Sequence, residues 1–137
     1  MILLLDVNVV LDVLANRKPW VEDSAALLDA IQDGRANGKI AAHTVTTLHY
    51  LLTKHSGRES ATLALTSLLE ILEIVAVDST MIRRALSMGW DDYEDAVQGV
   101  CALDASADYL VTRNLNDFAS LSIPVVTPDV VLSYLPN

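Results

Sequence analysis

The sequence predicts an α/β protein: a three-layer α/β/α fold in which a central parallel sheet of four to five strands lies between helices. Short apolar runs alternate with longer stretches of helical periodicity, which is typical of a parallel sheet covered on both faces. The opening run, residues 2–5, is entirely apolar, as expected of a strand buried on both faces. No linker, repeat or low-complexity segment interrupts the pattern, so we expect one domain over residues 1–137.

The remaining elements follow from apolar spacing, since residues three or four apart indicate a helix and short continuous runs indicate a buried strand. The other predicted strands are residues 39–43, 73–77, 109–112 and 125–127. The predicted helices are residues 9–15, about 20–31, 44–54, one opening at residue 56, 79–88, 92–105, 115–121 and 128 to about 135.

Capping and turn signals refine these boundaries. Ser56 and Glu59 have the spacing of a capping box, which predicts that a helix begins there. Gly34 and Gly38 are predicted to mark the end of the preceding long helix. In the helix over residues 79–88, the apolar spacing predicts an inward face, formed by Ile82, Ala85 and Leu86.

Composition excludes several classes of protein. The chain is 52% hydrophobic and has a single cysteine, so a globular fold without an intrachain disulfide is expected, which fits a reducing compartment. Residues 2–5 lack the basic flank of a signal peptide, and no apolar stretch approaches the ~18 residues of a membrane span. We therefore expect a cytoplasmic protein that makes no use of a membrane.

The net charge of −9 does not by itself favour a nucleic-acid binder, because such domains usually carry a basic surface. The excess acid either forms a solvated surface or is partly concentrated around a bound cation, which would change the local sign of the charge.

Acidic and amide side chains follow two of the predicted strands. Asp6 and Asn8 come directly after the first strand, and Asn114 and Asp117 follow the strand over residues 109–112. Ligand sites in such sheets form beyond the carboxyl ends of the strands. If the first and fourth strands are neighbours, these side chains meet at one edge. Each also has an ordinary alternative as a helix cap.

A third acidic segment opens the helix over residues 92–105. Asp91, Asp92, Glu94 and Asp95 lie within five residues, and the helix dipole alone favours acids at such a position. Carboxylates three or four residues apart share a helix face and repel one another unless a cation lies between them. Hard oxygen ligands without a Cys or His pair suit Mg²⁺ or Mn²⁺ rather than zinc.

Three segments resemble the PIN-domain family. They are residues 4–8 (Leu-Leu-Asp-Val-Asn), residues 92–96 (Asp-Tyr-Glu-Asp-Ala) and residues 108–118, which contain Thr-Arg-Asn-x-x-Asp-Phe directly after a strand. The last segment is the most specific, and the order and spacing of all three match over essentially the whole chain.

The resemblance implies a metal-dependent endoribonuclease that cleaves RNA, in many members the VapC-type toxin of a bacterial toxin–antitoxin pair. It also implies a homodimer and an antitoxin protein as partner. Asp6, Asp95 and Asp117 would be the catalytic metal ligands, and Asn8 and Asn114 would support the site.

One position departs from the family pattern, which usually has a Glu on the helix after the second strand. Tyr50 stands there, and one turn earlier, where a subgroup places its acid, stands Thr47. The acid best placed to substitute for it is Glu94, with Asp91 and Asp92 behind it. His43 or His49 could also approach the site.

Two other functional interpretations remain open. Loss of the usual Glu is consistent with a catalytically weakened PIN-like module that binds RNA or protein without turnover. A phosphoryl-transfer domain with Asp6 as nucleophile is disfavoured, because such folds need a Lys after a late strand and none follows Lys54.

Overall fold

A parallel sheet of five strands organises the computed structural model, which describes residues 1–137. The strands are β1 (Ile2–Leu5), β2 (Asn37–Ala41), β3 (Glu73–Val75), β4 (Tyr109–Val111) and β5 (Val125–Val126). Their order across the sheet is β3-β2-β1-β4-β5, and every neighbouring pair is parallel. The predicted parallel sheet is confirmed, with β1 at its centre.

Helices cover both faces of this sheet. They are α1 (Val7–Leu14), α2 (Val21–Gln32), α3 (Ala42–Ser56), α4 (Arg58–Leu68), α5 (Ser79–Ser87), α6 (Tyr93–Asp104) and α7 (Pro128–Tyr134), with a 3₁₀ helix at Leu115–Phe118. Strand β1 alternates between two cores, since Leu3 and Leu5 pack with α1 to α4 and α7, whereas Leu4 packs with α5 and α6. The predicted three layers are therefore confirmed. None of the helices combines the length and apolarity needed to cross a membrane.

Gly38 does not end a helix, as was predicted, but lies inside β2. A Cβ atom at this position would lie 2.6 Å from Leu72 Cδ2 and 2.8 Å from Ile31 Cδ1. Glycine is needed here because these two side chains approach the strand backbone so closely. The prediction for Gly34 holds, since it follows α2 with a φ of 80°.

The predicted capping box at Ser56 and Glu59 is wrong. Helix α3 continues through Ser56, whose Oγ donates to the carbonyl of Leu52 at 3.3 Å. The break comes at Gly57, whose φ of 91° is accessible to glycine and strained for other residues, and no side chain caps α4. The glycine, rather than a side-chain hydrogen bond, therefore separates the two helices.

The predicted inward face of α5 is correct only in part. Ala85 is buried together with Met81, one turn earlier, but Ile82 is 37% and Leu86 64% exposed. Helix α5 packs against α6 along a narrow stripe of residues four apart, so the neighbouring apolar positions stay at the surface.

Candidate metal site at the carboxyl edge of the sheet

The carboxyl ends of β1 and β4 lie side by side, as the predicted site requires. Leu5 is in register with Val111, and the Asp6 N–H donates to the Val111 carbonyl at 2.9 Å. Asp6 and Thr112 therefore follow the two strands as neighbours at the sheet edge where ligand sites form.

The carboxylate of Asp6 faces this edge and does not cap a helix. Asp6 is 3% exposed, and although it occupies the N-cap position of α1, its side chain makes no capping hydrogen bond. Its Oδ1 instead accepts from Gln98 Nε2 at 2.8 Å, and its Oδ2 accepts from Thr112 Oγ1 at 2.9 Å. The ordinary capping alternative therefore does not account for this side chain.

Asp92 and Asp95 open helix α6 in different roles. Asp92 is the N-cap, and its Oδ1 accepts from the Asp95 N–H at 3.1 Å. The capping interpretation is therefore correct for Asp92, whereas the half-buried Asp95 does not cap the helix and lies on the wall of a cavity. Both residues line a cavity of about 300 Å³ together with Asp117 and Trp90.

Asp117 and Asn114 reach the site from the segment after β4. Asp117 lies in the 3₁₀ helix, exposed, on the wall of the same cavity as Asp95. Asn114 directly precedes that helix, and its exposed side chain makes no capping hydrogen bond. Its N–H donates to Thr112 Oγ1 at 3.1 Å. Thr112 thus links the backbone of this segment to the carboxylate of Asp6.

The electrostatics of the site are those of crowded, unneutralised acid. Burial, followed by the charges of Asp92, Asp6, Asp117 and Glu94, raises the pKa of Asp95 to about 7. Burial also raises the pKa of Asp6, against the lowering effect of its hydrogen bonds. The salt bridges of the protein involve Asp12 and Glu73, so no basic side chain pairs with these carboxylates.

Glu94 lies against the first part of α3. Its carboxylate accepts a hydrogen bond from Thr47 Oγ1, and its carbonyl oxygen is 3.2 Å from His43 Nε2. Tyr50 is 57% exposed, and its ring lies under Lys54 Nζ at 4.6 Å. The structure therefore brings Glu94, and not Tyr50, into contact with Thr47 on α3.

Asn8 and Arg113 are engaged away from these carboxylates. Asn8 Oδ1 accepts from Arg17 at 3.0 Å. Arg113 Nε lies 3.0 Å from Asp12 Oδ2, and its guanidinium stacks on Trp20 at 3.7 Å from the ring centroid. The structure thus directs both side chains toward a buried ion-pair cluster beside the site.

Two side chains of the site were not found from the sequence. Gln98 carried a signal, because it is a polar residue on the otherwise apolar part of α6, three positions after Asp95. Trp90 carried none, since its place on the cavity wall and its edge-on contact with Phe118 depend on the loop before α6.

The profile of the PIN domain matches residues 3–116, most of the chain. The chain belongs to the PIN-domain family. No curated protein matches the sequence of this PIN domain.

Solved structures similar to this PIN domain include toxin–antitoxin proteins. A chain of VapBC2 from Rickettsia felis, solved with a DNA fragment from its promoter, is 17% identical with a TM-score of 0.69, covering 93% of this chain and 98% of its own. A chain of VapBC-1 from nontypeable Haemophilus influenzae is 15% identical with a TM-score of 0.72, covering 94% and 99%. VapC20 from Mycobacterium tuberculosis, a sarcin–ricin loop cleaving toxin, is 11% identical with a TM-score of 0.72, covering 86% and 94%. At these identities the likeness concerns the fold.

PIN domains generally use divalent metals, and the donors of this PIN domain fit such an ion in their chemistry. The side chains are hard oxygen donors without a neutralising base, and Gln98 Oε1 is a buried acceptor with no hydrogen-bond partner. No three carboxylate, His or Cys side chains are already grouped closely enough to hold a metal. The chemistry of the donors thus fits a divalent cation, whereas the carboxylates do not form a preformed group of three ligands.

Proposed function

We propose that this PIN domain is a divalent-metal-dependent endoribonuclease, the toxin of a bacterial toxin–antitoxin pair. The observation that supports this most is the meeting of Asp6, Asp95 and Asp117 at one sheet edge without a basic partner. Burial, followed by repulsion from the neighbouring carboxylates, raises the pKa of Asp95 to about 7, so a cation that binds there would offset an unfavourable negative charge. Mg²⁺ and Mn²⁺ match this oxygen donor set.

The catalytic roles follow from position. Asp6, Asp95 and Asp117 would hold the cation, which when bound would activate water and stabilise the charge of an RNA phosphate. Gln98 and Thr112 hold the Asp6 carboxylate in one orientation through hydrogen bonds of 2.8 and 2.9 Å.

Four further side chains support the site in this proposal. Glu94, held by Thr47, supplies the carboxylate that α3 lacks. Asp92 fixes the first turn of α6 through its cap. Asn114 stands at the exposed entrance beside Asp117, and Asn8 fixes Arg17 behind the site.

The cation also accounts for how an acidic chain approaches RNA. With a net charge of −9, the protein repels a phosphate backbone unless positive charge is supplied locally. A divalent ion at the cluster reverses the sign of the field where a phosphate must bind.

The test is cleavage of structured RNA by the purified protein with Mn²⁺, resolved on a denaturing gel. We expect Asp6→Asn and Asp117→Asn to lose cleavage, because each removes a ligand. Asp33→Asn, an exposed acid after α2, serves as the matched control and keeps full activity. Equal cleavage by the wild type and Asp6→Asn would contradict the proposal of a metal-dependent endoribonuclease at this site.

A second candidate function is a PIN-domain module that binds RNA or protein without turnover. The absence of a preformed group of three metal ligands favours it, as does the exposed Tyr50 in place of an acid. Intact RNA together with a mobility shift of that RNA in Mn²⁺ is the result expected of this module. Cleavage that depends on Asp6 excludes it.

The proposed partners are an antitoxin and a second copy of the chain, in the cytoplasm. The support for the antitoxin is that the similar solved structures include VapBC toxin–antitoxin complexes. Co-expression with the product of the adjacent gene, followed by affinity capture and light scattering, checks both. A protein that stays a monomer and captures no such product contradicts this assignment.

A further inference from the structure

Gln98 is a polar side chain placed in the apolar part of α6. It is 2% exposed, and the residues beside it, Val97 and Val100, are buried in the core between α6 and the sheet. Its Nε2 donates to Asp6 Oδ1 at 2.8 Å, across 92 positions of sequence. The helix therefore carries an amide into a place where packing alone would favour an apolar residue.

The other atom of the same amide has no partner. Gln98 Oε1 is buried and accepts no hydrogen bond from the protein. When Asp6 is ionised the reverse orientation of the amide is unfavourable, because the amide oxygen would then face a carboxylate oxygen with no hydrogen between them. Buried acceptors of this kind are nearly always satisfied, so we expect a donor from outside the chain, such as a water molecule.

Thr112, the other donor to Asp6, already has a partner both as donor and as acceptor. Its hydroxyl donates to Asp6 Oδ2 at 2.9 Å and accepts from the Asn114 N–H at 3.1 Å. Thr112 and Gln98 thus hold the same carboxylate, but only Gln98 presents an unused oxygen next to it. Thr112 therefore has only an orienting role toward Asp6, whereas Gln98 can also contact a bound group.

We infer that Gln98 is a positioning residue for the divalent cation: its Nε2 orients Asp6, and its Oε1 accepts a hydrogen bond from a water molecule bound to that cation. Side chains that hold metal ligands and their waters in this way strongly affect metal affinity. The inference rests on the proposed cation site at Asp6, Asp95 and Asp117 and does not require RNA cleavage.

Calorimetric titration of the full chain with Mn²⁺ tests it. Gln98→Met, which keeps the volume but removes both polar atoms, is expected to weaken Mn²⁺ binding by about 10- to 100-fold. Thr112→Val removes one donor to Asp6 and is expected to weaken binding less than Gln98→Met. Val100→Ala, a buried change on the same helix within the apolar core, is the control for lost stability and leaves Mn²⁺ affinity unchanged.

The outcomes separate clearly. A Gln98→Met affinity within about twofold of wild type overturns the inference, and an effect no larger than that of Thr112→Val overturns the role of Oε1. Wild-type protein that binds no Mn²⁺ overturns both roles. If Gln98→Met does not fold, Gln98→Asn, whose amide is too short to reach Asp6, is judged by the same criteria.

Failure of this inference is distinguishable from failure of the proposed function. Mn²⁺ binding that depends on Gln98, in a protein that leaves RNA intact, supports the inference and contradicts the nuclease. RNA cleavage by a protein whose Mn²⁺ affinity is unchanged in Gln98→Met supports the nuclease and contradicts the inference.

Discussion

Two buried carboxylates that are close in sequence, Asp6 and Asp12, differ in whether a charged partner neutralises them. Asp12 is fully buried and is neutralised by Arg17 at 2.8 Å and Arg113 at 3.0 Å. Asp6 is 3% exposed but receives only uncharged donors, from Gln98 and Thr112. The chain thus neutralises the acid that holds its loops and leaves the charge of the acid at the sheet edge available to an ion.

Asp12→Ala is expected to destabilise the protein strongly, since it leaves two arginines without their carboxylate. The expected loss is about 2–4 kcal/mol, moderated because both guanidinium groups are partly exposed. Urea unfolding followed by circular dichroism measures it. Asp33→Ala, an exposed acid, is expected to change stability by less than about 0.5 kcal/mol, and equal losses in the two variants would contradict a structural role for Asp12.

The pH dependence of stability follows from Asp95. Its pKa is about 7 in the folded protein and 3.8 in the reference state, so between these values the folded form keeps a proton that the unfolded chain has lost. That contribution to stability is complete below the unfolded pKa and is lost as the pH rises toward about 7. The raised pKa of Asp6 acts in the same direction.

We therefore expect the melting temperature of the protein in EDTA to fall between about pH 4 and about pH 7. Asp95→Asn cannot ionise and should show a flatter profile, measured by differential scanning fluorimetry. A wild-type melting temperature that rises with pH over this interval would contradict the raised pKa of Asp95. A profile that Asp95→Asn leaves unaltered would contradict it as well.

At the level of single residues, the sequence predicted more of the candidate site than of its surroundings. Asp6, Asp95 and Asp117 follow from acids placed after strands and at a helix start, a local pattern. The partners of Asp6 could not be predicted, because Gln98 and Thr112 reach it across 92 and 106 positions. Pairings of that kind depend on how the helix and strand are finally packed.

At the level of elements, helix α6 does most to build the site. Its first turn carries Glu94 and Asp95, its cap is Asp92, and one turn further on is Gln98. Because these positions are three or four apart, a single helix orientation delivers carboxylate and amide to the same edge. The periodicity of the helix was visible in the sequence.

Element boundaries were harder to predict where glycine decides them. Gly57 divides α3 from α4 through its positive φ, so the polar pair at Ser56 and Glu59 suggested a boundary of the wrong kind. Gly38 belongs to a strand because Leu72 and Ile31 leave no room for a side chain, a fact about tertiary packing.

Gly38→Ala is expected to destabilise β2. The added Cβ would meet Leu72 and Ile31 at under 3 Å, and relieving such overpacking costs about 1–3 kcal/mol. Thermal and urea unfolding measure the loss. Gly99→Ala in α6 is the comparison: its Cβ would lie 3.2 Å from Leu121 while alanine gains up to about 1 kcal/mol of helix propensity, so the net change is small.

At the level of the whole molecule, the layering could be predicted because it depends only on the alternation of apolar strands and amphipathic helices. The sequence alone did not show whether β1 and β4 are neighbours. The strand order shows that they are. The exposure of Ile82 and Leu86 could not be predicted, because apolar spacing does not tell how wide a stripe a neighbouring helix covers.

Metal should stabilise the whole protein in a pH-dependent way. At Mn²⁺ a hundredfold above its Kd, the gain is about 2.7 kcal/mol, since the ion binds the folded state alone. We expect a larger rise in melting temperature near pH 8 than near pH 5, where protons compete for the raised-pKa carboxylates. EDTA should reverse the rise. Asp117→Asn should reduce it, and an equal rise in that variant would place the ion elsewhere.

The central position of β1 has a consequence for the order in which the protein is made. Asp6 leaves the ribosome well before Asp95, Gln98, Thr112 and Asp117, which come much later in the sequence. The edge between β1 and β4 cannot form until both strands have emerged. A nascent chain therefore cannot assemble the site until the segment that carries Asp117 has been made, however early Asp6 appears.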